Sequence, residues 1–155
     1  PLIIAVGLAV MGLILYYVDK KMPQYMRYEN MTFRQTLLIG ASQALALIPG
    51  VSRSGITMTV GRMLGLSRAA AAKFSFLLAT PIIAGAALKH TPDIIQHVTH
   101  PLFLIGTLTS AVVGLFCISF LLKYLQKNNF AVFAVYRLLL AALIVGVYAW
   151  RSAGT

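Results

Sequence analysis

The chain has 155 residues, of which 59% are hydrophobic and only 10% are charged, and its mean hydropathy is +0.85. A soluble domain carries roughly 25% charged residues, so this composition excludes an ordinary soluble fold and indicates an integral membrane protein. The formal net charge of +10 comes from 13 Lys and Arg against three acids. In a soluble protein this charge would suggest a nucleic-acid partner. In a membrane protein, basic cytoplasmic loops and anionic headgroups explain most of it, so no nucleic acid is expected.

Four apolar stretches are long enough to cross a membrane as helices. The first, Leu2–Val18, is close to the lower limit of about 17 residues for a spanning helix. The second, Arg68–Lys89, follows a favourable N-cap residue at Ser67. The last two are Leu102–Leu122 and Phe130–Trp150. Polar loops are predicted between these elements, at Asp19–Gln35, His90–Pro101 and Lys123–Asn129.

Two further apolar segments, between the first and second spanning helices, are too short to cross. Thr36–Ile48 would reach only about 20 Å into a hydrocarbon core about 30 Å thick. Pro49 and Gly50 then end the helix, and the second segment, Gly55–Leu66, is equally short. The pattern predicts a re-entrant helix–loop–helix over residues 36–66. The alternative is one kinked span from residue 36 to residue 60.

The distribution of Lys and Arg favours the re-entrant arrangement. If the two short helices enter and leave on one side, that side holds nine basic residues: Lys20, Lys21, Arg27, Arg34, Arg62, Arg68, Lys73, Lys123 and Lys127. The opposite side then holds two, Lys89 and Arg151, whereas a kinked span would divide the same residues six to five. Because basic residues concentrate in cytoplasmic loops, we expect the first group to face the cytoplasm.

The residues at the break suit an anion. Arg53 carries a permanent charge, which is costly at membrane depth without a partner, and its fork of donors matches phosphate oxygens. Gly50 and Gly55 permit the unusual backbone angles that expose several N–H groups at the start of the second short helix. Three hydroxyl side chains add further donors: Ser52, Ser54 and Thr57. The stretch therefore predicts a phosphate-binding loop.

Other interpretations of the polar residues stay open. Ser52 or Ser54 could act as a nucleophile, although no general base lies nearby in sequence, or the serines could cap helices around the proline break. The remaining polar side chains are expected to be structural. Arg62, Arg68 and Lys73 would mark the cytoplasmic boundary, and Arg137 would snorkel or pair in the bundle. Ser75 would bond within its own helix or, as the alternative, face the loop. His90, His97, His100 and Cys117 would have no catalytic role.

Two runs of sequence resemble a known family. They are Gln43–Thr57, which reads QALALIPGVSRSGIT, and Ala72–Pro81, which reads AKFSFLLATP. Both closely resemble the undecaprenyl-diphosphate phosphatases, the bacitracin-resistance family, whose pattern Pro-Gly-x-Ser-Arg-Ser-x-x-Thr is specific. The resemblance covers residues 1–155, as a single membrane domain that matches the second half of the family's longer sequence. Because the chain also starts at Pro1, without Met and inside an apolar stretch, we expect it to be a piece of a longer protein.

The resemblance implies an all-α enzyme of the bacterial inner membrane, built from two inverted repeats that each hold a re-entrant helix–loop–helix. Such an enzyme removes the terminal phosphate of the C55 isoprenoid diphosphate and regenerates the monophosphate carrier lipid for cell-wall synthesis. This chain would be one half of that bundle, with four transmembrane helices and one re-entrant pair. The implied catalytic residues are Arg53 and Ser52, and the implied substrate-binding residues are Gly50, Ser52, Arg53, Ser54, Gly55 and Thr57.

The chain departs from the family by what it lacks. The family's first repeat supplies a glutamate-rich motif and a Pro-x-Ser-Ser-x-Gly-His motif, and nothing here matches either. The resemblance implies a divalent cation, Mg or Ca, with no metal ligands in this chain. The expected partners are the lipid diphosphate, the membrane, the missing first repeat and, as an open alternative, a second copy in a homodimer. The alternative function is a non-enzymatic transporter or flippase of a lipid phosphate, since broken helices facing an anion are typical of transporters.

Overall fold

The computed structural model describes residues 1–91, 95 and 100–153, and every regular element in that part of the chain is helical. The α-helices are α1 (Leu2–Lys21), α2 (Phe33–Ser42), α3 (Arg53–Met63), α4 (Arg68–Lys89), α5 (Pro101–Lys127) and α6 (Ala131–Ala153). Two short 3₁₀ segments, Tyr28–Asn30 and Gln43–Leu47, precede and follow α2. The predicted all-α class is confirmed.

Four helices in the described part are long and apolar enough to span a membrane: α1, α4, α5 and α6. They are the four that hydropathy predicts, and Pro81 lies inside α4 as expected. The helix α5 runs on to Lys127, so the predicted polar turn that begins at Lys123 is shorter than expected. The predicted loop His90–Pro101 falls largely outside the described residues, and with it Asp93 and His97.

The two short helices also form on either side of a break. Helix α2 has 10 residues and α3 has 11, so each is only about 15 Å long. A capping box starts α2: the Gln35 N–H donates to the Thr32 hydroxyl over 3.3 Å, and the Thr32 N–H donates to Gln35 Oε1 over 2.9 Å. The helix–break–helix is thus present, and its re-entrant placement in a bilayer stays a prediction.

The tip of the break rests on the backbone of α1. A Cβ atom on Gly7 would lie 2.8 Å from the carbonyl oxygen of Pro49, and a Cβ atom on Gly50 would lie even closer to the carbonyl oxygen of Ile4. Such contact between two stretches of backbone needs glycine on both sides. It fixes the height of the break along α1 and therefore the place where α3 begins.

A buried carboxylate ties the other end of α3 to three helices. Asp19 was expected in a polar loop, but α1 continues through it, and its side chain is only 4% exposed. Its oxygens accept hydrogen bonds from Arg62 Nε at 3.1 Å, from Arg68 Nε at 2.7 Å and from the N–H of Phe130 at 3.1 Å. The loop prediction for Asp19 was wrong because it used local hydropathy, whereas the partners lie 43, 49 and 111 residues away.

Arg62 is completely buried and also closes the end of α1. It donates to the carbonyl oxygens of Met22, at 2.7 Å, and Pro23, at 3.2 Å, and to that of Leu66. A buried cation is tolerated when it is paired and its donors are satisfied. Arg62 is therefore more than the boundary residue that its position in the sequence suggested, because it joins α1 to the turn between α3 and α4.

Candidate anion-binding site

The break itself spans the residues between Leu47 and Arg53. Its turn is closed by a hydrogen bond of 3.1 Å from the N–H of Val51 to the carbonyl of Ile48. Gly50 has φ +94°, in the left-handed region that favours glycine. The sequence-based reason given for Gly50 is therefore confirmed.

Ser52 begins α3 as its N-cap. Its hydroxyl oxygen accepts a 3.2 Å hydrogen bond from the N–H of Gly55 and lies 3.2 Å from the hydroxyl of Ser54. The capping interpretation of Ser52 is thus confirmed, and the partners of its hydroxyl are not bases. The first two N–H groups of the helix, those of Arg53 and Ser54, have no acceptor within the helix. Together with the positive end of the helix dipole they face the break, which is the usual geometry of an anion site.

Arg53 is the first residue of α3 and its side chain is half-buried. Within residues 1–91, 95 and 100–153 its guanidinium makes no hydrogen bond or ion pair, while its backbone carbonyl accepts from Thr57. A half-buried cation without a protein partner next to free N–H groups is suited to an external anion.

Thr57 lies one turn further into the helix and is only 2% exposed. Its hydroxyl donates towards the carbonyls of Arg53, at 3.0 Å, and Ser54, at 3.1 Å, and it lies 2.7 Å from the hydroxyl of Ser75 on α4. The expectation that Ser75 bonds within its own helix was wrong, because its hydroxyl reaches across to α3. Thr57 and Ser75 thus hold α3 against α4, and a contact of Thr57 with substrate stays a prediction.

Arg137 on α6 is the residue that sequence reasoning missed as part of this site. Its Nη1 atom is buried without a hydrogen-bond partner, and no other buried side-chain nitrogen or oxygen in the described part of the chain is in this state. The guanidinium lies against Gly55, where a Cβ atom would be 2.5 Å and 2.6 Å from its two terminal nitrogens. The expectation of pairing within the bundle is wrong for this nitrogen. The sequence held two signals, a lone arginine within an apolar helix and the resemblance of Tyr136-Arg137 to the family, but Arg137 was expected to be structural.

The position of Arg137 also corrects the reason given for Gly55. Its φ angle is not positive, and it lies in regular helix, so backbone freedom is not what it supplies. Glycine is needed there because the Arg137 guanidinium occupies the space of a side chain. The loop and α6 therefore meet at this point.

A cavity of about 320 Å³ opens beside this contact. Its polar border is made by Ser54, Gly55 and Arg137, and the remaining wall is apolar and aromatic. That wall consists of Leu15, Met58, Phe76, Leu121, Phe130, Phe133 and Tyr136. The cavity thus joins a cationic end to an apolar interior.

The residues around the break do not by themselves fit a divalent cation. The described part of the chain holds no group of three or more His, Cys, Asp or Glu side chains that could bind a metal. The buried carboxylate, Asp19, is already engaged by Arg62 and Arg68, and Glu29 is exposed. Hydroxyls and guanidinium groups favour phosphate oxygens rather than a metal ion.

Comparison of the sequence with known proteins finds a matching family model and several relatives. A sequence model of the family described as "Bacitracin resistance protein BacA" matches residues 1–143. The chain is 50% identical, over 99% of its length, to a protein of Pelotomaculum thermopropionicum named undecaprenyl-diphosphatase. It is 48% identical over 96% of its length to a protein of the same name from Moorella thermoacetica, and 51% identical over 97% to one from Caldicellulosiruptor bescii.

The chain spans 57–58% of the length of these three relatives. The match of the family model covers the break, α3, α4, α5 and the first part of α6, including Arg137. Both the extent of that match and the identity to the relatives lead to one conclusion: the chain belongs to the bacitracin-resistance protein BacA family.

Proposed function

We propose that this chain supplies the phosphate-binding wall of an undecaprenyl-diphosphatase in the inner membrane of a bacterium. The substrate would be the C55 isoprenoid diphosphate, and the product would be the monophosphate lipid that carries cell-wall precursors. The observation that carries the proposal is Arg53 at the start of α3, whose guanidinium has no partner in the described part of the chain and lies beside free N–H groups. The name shared by the relatives supports the reaction.

In this reaction a water oxygen bonds to the terminal phosphorus, and the bond from that phosphorus to the bridging oxygen breaks. The products are inorganic phosphate and the lipid monophosphate. Negative charge shifts onto the phosphate oxygens during the step, and donors fixed in place stabilise it most effectively. Arg53 would hold the terminal phosphate with two donors, while the N–H groups of Arg53 and Ser54 face the same oxygens.

Ser52 and Ser54 would serve as hydroxyl donors to the diphosphate. The Ser52 hydroxyl already accepts from the N–H of Gly55, so its own proton is free to point to Ser54 or to a phosphate oxygen. In the part of the chain that the structure describes, no carboxylate or imidazole bonds to either hydroxyl, which argues against a serine nucleophile in this chain. The proton-transfer groups, and the ligands of any divalent cation, would come from the first repeat.

The test is phosphate release by the purified natural full-length protein, given undecaprenyl diphosphate in detergent micelles. The proposal predicts one inorganic phosphate for each monophosphate lipid formed. A matched assay in vesicles measures movement of the lipid between leaflets. Lipid movement without phosphate release would contradict the hydrolase and favour the transporter.

A further inference from the structure

We propose that Arg137 binds the phosphate nearest the lipid, and that the aromatic cavity beside it holds the first isoprene units of the chain. This inference rests on the proposed function, because it assigns two different roles to the two phosphates of that substrate. The inference begins from Arg137, whose buried Nη1 atom has no hydrogen-bond partner among the described residues.

Among the described residues, no acidic side chain lies in the surroundings of Arg137. The residues that face it come from α1, at Gly12, from α3, at Gly55, and from the lining of the cavity. None of these is acidic, and the buried carboxylate, Asp19, is occupied by Arg62 and Arg68. A buried guanidinium nitrogen without a partner is unfavourable, so an anion that enters the cavity would gain a strong, preformed contact.

Arg137 and Arg53 flank the start of α3 from different sides. Arg137 lies against Gly55, and two helical residues turn the chain by about 200°. Arg53 and Gly55 therefore face nearly opposite sides of the first turn, with the hydroxyl of Ser54 and the free N–H groups between them. A diphosphate at the N-terminus of α3 would meet one cation from each side, with one phosphate bound by each arginine.

The position of the cavity indicates which of the two phosphates lies at Arg137 and which lies at Arg53. Its apolar wall starts directly beside Arg137 and Ser54, and Arg53 does not line it. The ring of Phe133, which is part of this wall, packs edge-on against Phe130 and Tyr124, with ring centres 6.2 Å apart in each case. A phosphate with a hydrocarbon chain attached would lie at Arg137, with the chain in the cavity. The terminal phosphate, which leaves, would lie at Arg53.

This arrangement makes Arg137 a determinant of product affinity. The monophosphate lipid keeps its contact with Arg137 after hydrolysis. The phosphate that Arg53 binds leaves as inorganic phosphate, so Arg53 has no contact with the lipid product. Replacing Arg137 with the similarly shaped Met should therefore weaken binding of undecaprenyl monophosphate at least about tenfold, the size expected for a lost charge-assisted hydrogen bond. It should leave the thermal midpoint in detergent unchanged or higher, because an unpaired buried charge is removed.

The experiment measures binding of undecaprenyl monophosphate and the thermal midpoint for Arg137→Met in the full-length protein. A lower midpoint with unchanged product affinity would overturn the proposal and make Arg137 structural. Binding of the monophosphate needs no turnover, so it is measured even if the wild type fails to release phosphate. A failure of the proposed function is thereby distinguished from a failure of this inference.

A second variant tests the cavity. Leu121→Trp should fill it and raise KM for farnesyl diphosphate, a short isoprenoid substrate, about tenfold or more. Leu108→Trp on the same helix is the control, because Leu108 is 66% exposed and does not line the cavity. Equal KM values for both variants would overturn the assignment of the cavity to the lipid chain.

Discussion

The guanidinium of Arg137 fills the space where a side chain on Gly55 would stand, with only 2.5 Å between a would-be Cβ atom and the nearer nitrogen. This contact joins the last spanning helix to the first turn of α3. It also links the two ends of the site, since Ser52 caps that same turn through the N–H of Gly55.

Gly55→Ala should therefore separate α3 from α6 and disturb both Arg137 and the N-cap. In the full-length protein we expect turnover of the lipid diphosphate to fall at least about tenfold, together with a lower thermal midpoint, because the added methyl group cannot fit without a shift of the guanidinium. Gly146→Ala on α6 is the matched control, since nothing lies within 4 Å of a Cβ there. Full activity of Gly55→Ala would show that the contact is not needed.

Asp19→Asn should be strongly destabilising. The change keeps the shape of the side chain but leaves the fully buried Arg62 without a negative partner, a loss of about 3–5 kcal/mol for a buried pair. Thermal denaturation of the purified protein in detergent measures it. The control is Glu29→Gln, which removes an exposed pair with Arg27 at 3.9 Å and should cost below about 1 kcal/mol. If both variants had the same thermal midpoint as the wild type, Asp19 would not hold the helices together.

The Thr57–Ser75 contact should show coupling between the two side chains. Ser75→Ala removes a hydroxyl 2.7 Å from Thr57 Oγ1, and we expect it to lower the free energy of unfolding by about 1 kcal/mol. Thr57→Val and the double variant complete a cycle in which the effects do not add. Thr80→Ala, on an exposed hydroxyl of the same helix that bonds to Phe76, should have a smaller effect. Additive effects of the pair would exclude the interhelical bond.

Local patterns in the sequence predict much of the fold. Hydropathy predicts the four spanning helices, and Pro49 with Gly50 predicts the break, because each signal lies within one element. The motif from Ser52 to Thr57 also coincides with the N-cap and the first turn of α3. These features depend on neighbours in the chain.

The features that sequence reasoning missed depend on distant partners. Asp19 meets Arg62 across 43 positions, and Arg137 meets Gly55 across 82. Taken alone, Asp19 and Arg62 look like charges at the membrane boundary, and Gly55 looks like an ordinary glycine in a helix. Only the packing of α1, α3 and α6 shows that Asp19 is paired and that a nitrogen of Arg137 is not.

The central claim is that Arg53 binds the phosphate that leaves, and phosphate release by Arg53→Ala in the full-length protein tests it most directly. We expect kcat to fall by at least about a hundredfold, because the transition state loses its bidentate charge partner. Arg53→Lys should restore only part of the rate, since a point charge replaces the fork, and Arg34→Ala, an exposed arginine on α2, should keep full activity. Phosphate release by folded Arg53→Ala at the wild-type rate would contradict the account.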